Sequence, residues 1–107
     1  MKNAMIDLEG EIKYISDQIV KKYKPEKIIL FGSAAHGNFT KDSDLDFFIV
    51  KDDVPYYGVD RLKELDHLID YNLPVDFIVY KPKEFAQCIK IGDPLTRDAL
   101  KGRVLYG

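Results

Sequence analysis

The chain has 107 residues, enough for one domain, 1–107, with a modest core. Hydrophobic residues make up 46% and charged residues 32%, a balance that excludes a disordered chain. The net charge of −2 comes from 16 basic and 18 acidic residues mixed along the sequence, with no basic stripe to grip a nucleic-acid backbone.

In chain order, Met1-Lys-Asn-Ala-Met-Ile-Asp7 contains no signal-peptide core, and no later apolar stretch approaches membrane-spanning length. The expectation is a cytoplasmic protein with no membrane partner. Ile12, Ile15, Ile19 and Tyr23 recur at helical spacing, with Glu11, Lys13, Asp17, Lys21 and Lys22 between them and Pro25 closing the helix. Lys27-Ile-Ile-Leu-Phe31 then reads as a buried strand, followed by Gly32-Ser33 and a short helical turn over Ser33–Gly37. Leu45 to Val50 is a second apolar strand, entered through Asp44. A helix over Val59 to Tyr71 puts Leu62, Leu65, Leu68 and Ile69 on one face and Arg61, Lys63, Glu64, Asp66 and Asp70 mostly on a solvated one. Leu73 to Tyr80 is a third strand with Asp76 near its start. Helical signal resumes from Lys83 to Ile91, where Phe85, Cys88 and Ile89 suggest a packed thiol. The single cysteine leaves no internal disulfide and no cysteine-based zinc site. Asp93-Pro94 reads as cap and first residue of a last short helix, Gly102 ends it, and Val104-Leu105-Tyr106 adds a short strand or packs on the core. Tyr56, Tyr57, Tyr71 and Tyr106 are interface or core aromatics. The fold class is α/β (α+β), a small mixed sheet with helices on one face and carboxylates exposed on the other.

The chemistry lies in the turn and strands around Gly32. Without a side chain, Gly32 lets backbone N–H groups approach a phosphate, and Ser33 adds a hydroxyl donor. On a strand, residues two apart share a face, so the Asp44 and Asp46 carboxylates project together and repel unless a cation sits between them. Hard divalent ions such as Mg²⁺ take oxygen ligands plus substrate phosphates. If the strand of Asp76 lies beside that of Asp46, three carboxylates surround one cavity, a set able to hold two metal ions for in-line nucleotidyl transfer. Each piece alone has an ordinary reading: a turn after a strand, a solvated strand entrance, an edge-strand Asp facing water. Together and in this order they are far more specific.

The pattern Gly32-Ser33, ten residues, Asp44-x-Asp46 and a later Asp76 in an apolar strand resembles the minimal nucleotidyltransferase family of the DNA polymerase β-like superfamily. The likeness covers most of the chain, down to the terminal Gly-Arg-Val-Leu-Tyr, and extends to the antitoxin halves of HEPN/MNT toxin–antitoxin pairs. The resemblance implies that Gly32 and Ser33 hold the triphosphate of ATP, and that Asp44, Asp46 and Asp76 bind two Mg²⁺ ions. It further implies that Asp76 helps activate the attacking hydroxyl, and that the acceptor is a tyrosine of a HEPN toxin. The family often carries basic residues soon after Gly-Ser; here Ala34-Ala35-His36-Gly37 follows, with less positive charge. Two other functions fit the same residues. One is a catalytically weak antitoxin that neutralises its partner by occlusion. The other is a small-molecule nucleotidyltransferase working as a homodimer with paired clefts.

Overall fold

The computed structural model describes residues 7–107, so the reading of Met1 to Ile6 as free of a signal sequence lies outside the described residues. Helix α1 (Leu8–Gln18) starts at Asp7, whose side chain accepts a hydrogen bond from the Gly10 N–H at 2.9 Å. It runs on into a π-helical turn (Ile19–Tyr23), which ends where Lys24 adopts the left-handed conformation, one residue before Pro25. Four strands follow: β1 (Lys27–Phe31), β2 (Leu45–Val50), β3 (Val75–Tyr80) and β4 (Arg103–Tyr106). Between them lie α2 (Gly58–Leu68), α3 (Pro82–Ile91) and α4 (Pro94–Leu100). The terminal residues do form a strand.

The sheet order is β3-β2-β1-β4. β1 pairs antiparallel with both β2 and β4, whereas β2 and β3, linked through α2, run parallel. The mixed α/β class expected from the sequence is the one observed. One face of the sheet buries Ile28, Leu30, Leu45, Phe47, Ile49 and Val79 against Ile12, Ile15, Ile19 and Tyr23 of the first helix and Leu65 of α2. The other face carries Ile29, Phe31, Phe48 and Val50, covered by Phe85 of α3 and Ala99 of α4. Helices therefore lie on both faces. The expected arrangement survives in part, because α3 and α4 cover the face that carries Asp46 only beside these four apolar residues, and the carboxylate end stays open.

Further expectations shift once side chains are placed. Arg61 does not belong to a solvated face: it is 4% exposed and chelates Glu84 of α3 with N–O distances of 2.6 and 3.1 Å. It also donates to the carbonyls of Pro55, Tyr56 and Val79, so α2, α3 and β3 meet at one guanidinium. Glu11 is likewise buried, accepting from the backbone and side-chain amides of Asn72, and Gln18 exchanges hydrogen bonds with the backbone of Asp70. These contacts tie α1 to the turn that feeds β3. Leu62 and Leu68 are exposed, leaving Leu65 and Ile69 to anchor α2, and Cys88 is only half-buried beside an exposed Ile89.

Candidate active site

β1 delivers the chain to Gly32, whose φ of 74° and ψ of −156° lie where side chains are strained. A second constraint is steric: a Cβ at Gly32 would collide with the Asp46 carboxylate. The turn and the acid therefore touch, as the pairing of Phe31 with Asp46 requires. Ser33–Ala35 forms a single 3₁₀ turn, closed by hydrogen bonds from Ala35 to Gly32 (3.1 Å) and from His36 and Asn38 to the Ser33 carbonyl (3.2 and 3.0 Å). Ser33 is half-buried at its start, and the turn is shorter than the Ser33–Gly37 span expected from the sequence.

Asp44 follows a loop held by Thr40 and Ser43, where the Thr40 N–H donates to Ser43 Oγ at 3.0 Å and the Asp42 N–H to Thr40 Oγ1 at 3.2 Å. The Leu45 N–H then bonds the Pro74 carbonyl at 2.9 Å, fixing the start of β2 against the start of β3. From that point the parallel register sets Asp46 directly beside Asp76 on the same face. Asp44 and Asp76 are exposed and Asp46 is half-buried. Burial first, then the charges of Asp76, Asp44 and Asp98, push the Asp46 carboxyl up to about 6. Asp98 was not singled out from the sequence; only the packing of α4 over β1 brings its charge near, and no local pattern signals that.

These carboxylates are hard oxygen donors sharing one strongly negative corner, the donor chemistry suited to a divalent cation. Among the described residues no three acidic, histidine or cysteine side chains converge on a single point as they stand. Closing around an ion would take rotation of the exposed Asp44 and Asp76 side chains, which nothing in the packing prevents. Among the described residues no helix is long and apolar enough to cross a membrane.

The structure thus brings together a glycine turn abutting a strand carboxylate and a second carboxylate in register on the neighbouring parallel strand, the arrangement expected from the sequence. The chain belongs to the nucleotidyltransferase domain family, which it matches over residues 12–106, and it is a nucleotidyltransferase. It is 38% identical over 101 residues to a provisionally named protein adenylyltransferase of Methanocaldococcus jannaschii, covering 92% of this chain and 97% of that one. A crystal structure of a provisionally assigned nucleotidyltransferase from Sulfolobus solfataricus superposes with a TM-score of 0.57 at 25% identity, covering 81% of this chain and 84% of that one.

Proposed function

We propose that the protein transfers AMP from ATP to a hydroxyl of another protein, in a Mg²⁺-dependent reaction at Asp44, Asp46 and Asp76. The observation that carries this reading is the register of Asp46 with Asp76 beside the Gly32 turn. Gly32 and Ser33 bind the triphosphate, the backbone of the turn and the Ser33 hydroxyl facing its β and γ oxygens. Asp44, Asp46 and Asp76 would hold Mg²⁺, which when bound neutralises phosphate charge and lowers the pKa of the acceptor hydroxyl. Asp76, exposed at the open end of the sheet, takes the proton of that hydroxyl. The hydroxyl oxygen bonds to the α-phosphorus, the bond to the bridging oxygen breaks, and pyrophosphate leaves with the electron pair. The name of the Methanocaldococcus relative supports a protein acceptor and an adenylyl group.

The open carboxylate corner leaves the far wall of the cleft to the acceptor. The sequence resemblance supports a HEPN toxin, modified on a tyrosine, as that acceptor, with the protein acting in the cytoplasm as an antitoxin. A second reading has one observation in its favour: the Ala34-Ala35-His36 turn offers no strong cation to the triphosphate. In that reading the protein occludes its partner without modifying it. Mass spectrometry of a HEPN partner after incubation with ATP and Mg²⁺ separates the two. A gain of one AMP, lost with Asp76→Asn, supports transfer; equal inhibition by wild type and Asp76→Asn with no added mass supports occlusion.

A further inference from the structure

The space that a Cβ would fill at Gly32 is taken by Asp46 Oδ2, so this carboxylate lies against the turn itself. Among the described residues no lysine, arginine or histidine forms an ion pair with Asp44, Asp46 or Asp76. The turn brings no cation of its own, because its residues are Ser33, Ala34 and Ala35. Its Ser33 and Ala34 N–H groups find no acceptor among the described residues, which leaves both donors to a ligand. An ionised Asp46 therefore stands uncompensated beside the donors that a phosphate would use. The other two acids are placed differently. Asp44 is exposed at the end of its loop. Asp76 lies on β3, with β2 between it and β1, so it is two strand spacings, about 10 Å, from the line of β1. Asp46 is one spacing away, about 5 Å, opposite Phe31. Repulsion falls with distance and is screened over about 8 Å at physiological salt, so Asp46 acts on the turn most strongly of the two strand carboxylates.

We propose that Asp46 selects a metal-complexed triphosphate over the free anion, a role that rests on the nucleotide site of the reading given above. Without a divalent cation, its carboxylate repels phosphate oxygens from the Gly32–Ser33 turn. With a cation present, the same carboxylate serves as one of the oxygen ligands, its charge is offset, and the turn admits phosphate. The positive charge that the Ala34-Ala35 turn lacks thus arrives with the nucleotide instead of being built into the chain.

The test titrates ¹⁵N-labelled wild type, Asp46→Asn and Asp76→Asn with ATP at pH 7.5, first in excess EDTA and then in Mg²⁺. The amide shifts of Gly32 and Ser33 report binding, and dispersed spectra report that all three proteins are folded. Wild type should bind ATP in EDTA about tenfold or more weakly than in Mg²⁺. Asp46→Asn keeps the size of the side chain and removes its charge. It should bind ATP in EDTA about tenfold more tightly than wild type and lose most of the advantage that Mg²⁺ confers. Asp76→Asn removes an equal charge from the same corner, yet should bind ATP in EDTA within about twofold of wild type. Equal affinity of wild type for ATP with and without Mg²⁺ would overturn the proposal. So would an equal gain in Asp76→Asn, because the net charge of the corner, and not the contact at Gly32, would then set the preference. Absent shifts at Gly32 and Ser33 in every protein and condition would overturn the nucleotide site and the transfer reading together. Metal-selective ATP binding without transfer to an acceptor protein would overturn the transfer reading alone and leave the role of Asp46 standing.

Discussion

At Asp46, half-burial and three neighbouring carboxylates act in the same direction, so the folded protein holds a proton that the unfolded chain has already released. Because the folded value is raised to about 6, this group's contribution to stability is present below the ordinary carboxylate range and is lost as pH rises through about 6. The metal-free wild type should therefore lose thermal stability between about pH 4 and pH 6. Asp46→Asn should flatten that part of the profile and melt higher at pH 7.5, which a pH series of thermal unfolding curves would check. Divalent-cation binding should weaken below pH 6, where protons compete for the same oxygens. Gly32 supplies a second prediction at this scale. Gly32→Ala combines a positive φ with a clash against Asp46, so it should cost about 1–3 kcal/mol in denaturant unfolding, with the site displaced as well. The placement of Gly32 and Ser33 at a strand end, and of Asp44, Asp46 and Asp76 at two strand starts, was legible because period two along a strand and a glycine at a strand end are local patterns. What was not legible is that Gly32 and Asp46 are in contact, or that Asp98 adds to the field, since both follow from tertiary packing.

Among the elements, those with local signals were read well. Asp93 caps α4 as its sequence indicates, accepting from the Thr96 N–H at 2.9 Å and from its hydroxyl at 3.0 Å. Asp93→Ala should cost about 1 kcal/mol, the usual worth of such a cap. Arg61 illustrates the opposite case. An arginine on an amphipathic helix is ordinarily solvated, and its partner Glu84 lies 23 residues on, in another helix. The Glu84 carboxyl is held below the ordinary range chiefly by its hydrogen bonds from Arg61, so the pair stabilises the fold above that range and loosens as pH falls. Arg61→Leu leaves Glu84 and three carbonyls without their donor; unfolding should show a loss of about 3 kcal/mol, the low end for a broken buried pair because Glu84 still reaches water. If Arg61→Leu cost no more than Asp93→Ala, the guanidinium would not be the junction of α2, α3 and β3. The two-sided helical covering escaped the sequence for the same reason: the periodicity of α3 and α4 says that they pack, not on which face.

Considered whole, the molecule presents its carboxylate corner at the open end of a sheet whose other end is covered by α3 and α4. Asp44 and Asp76 are exposed at that corner, which leaves an acceptor to be oriented by its own binding. Since orientation supplies much of the rate in such transfers, turnover of ATP by the protein alone should be slow and should rise when the acceptor protein binds. The account stands or falls on the carboxylates acting as a set. The most direct measurement is transfer of radiolabel from α-labelled ATP to a co-purified acceptor protein, with and without Mg²⁺, for wild type, Asp46→Asn and Asp76→Asn. The account predicts Mg²⁺-dependent labelling by wild type and a loss of about a hundredfold or more in both variants, with all three proteins folded and still binding the acceptor. Equal labelling by all three proteins, or labelling indifferent to Mg²⁺, would contradict it.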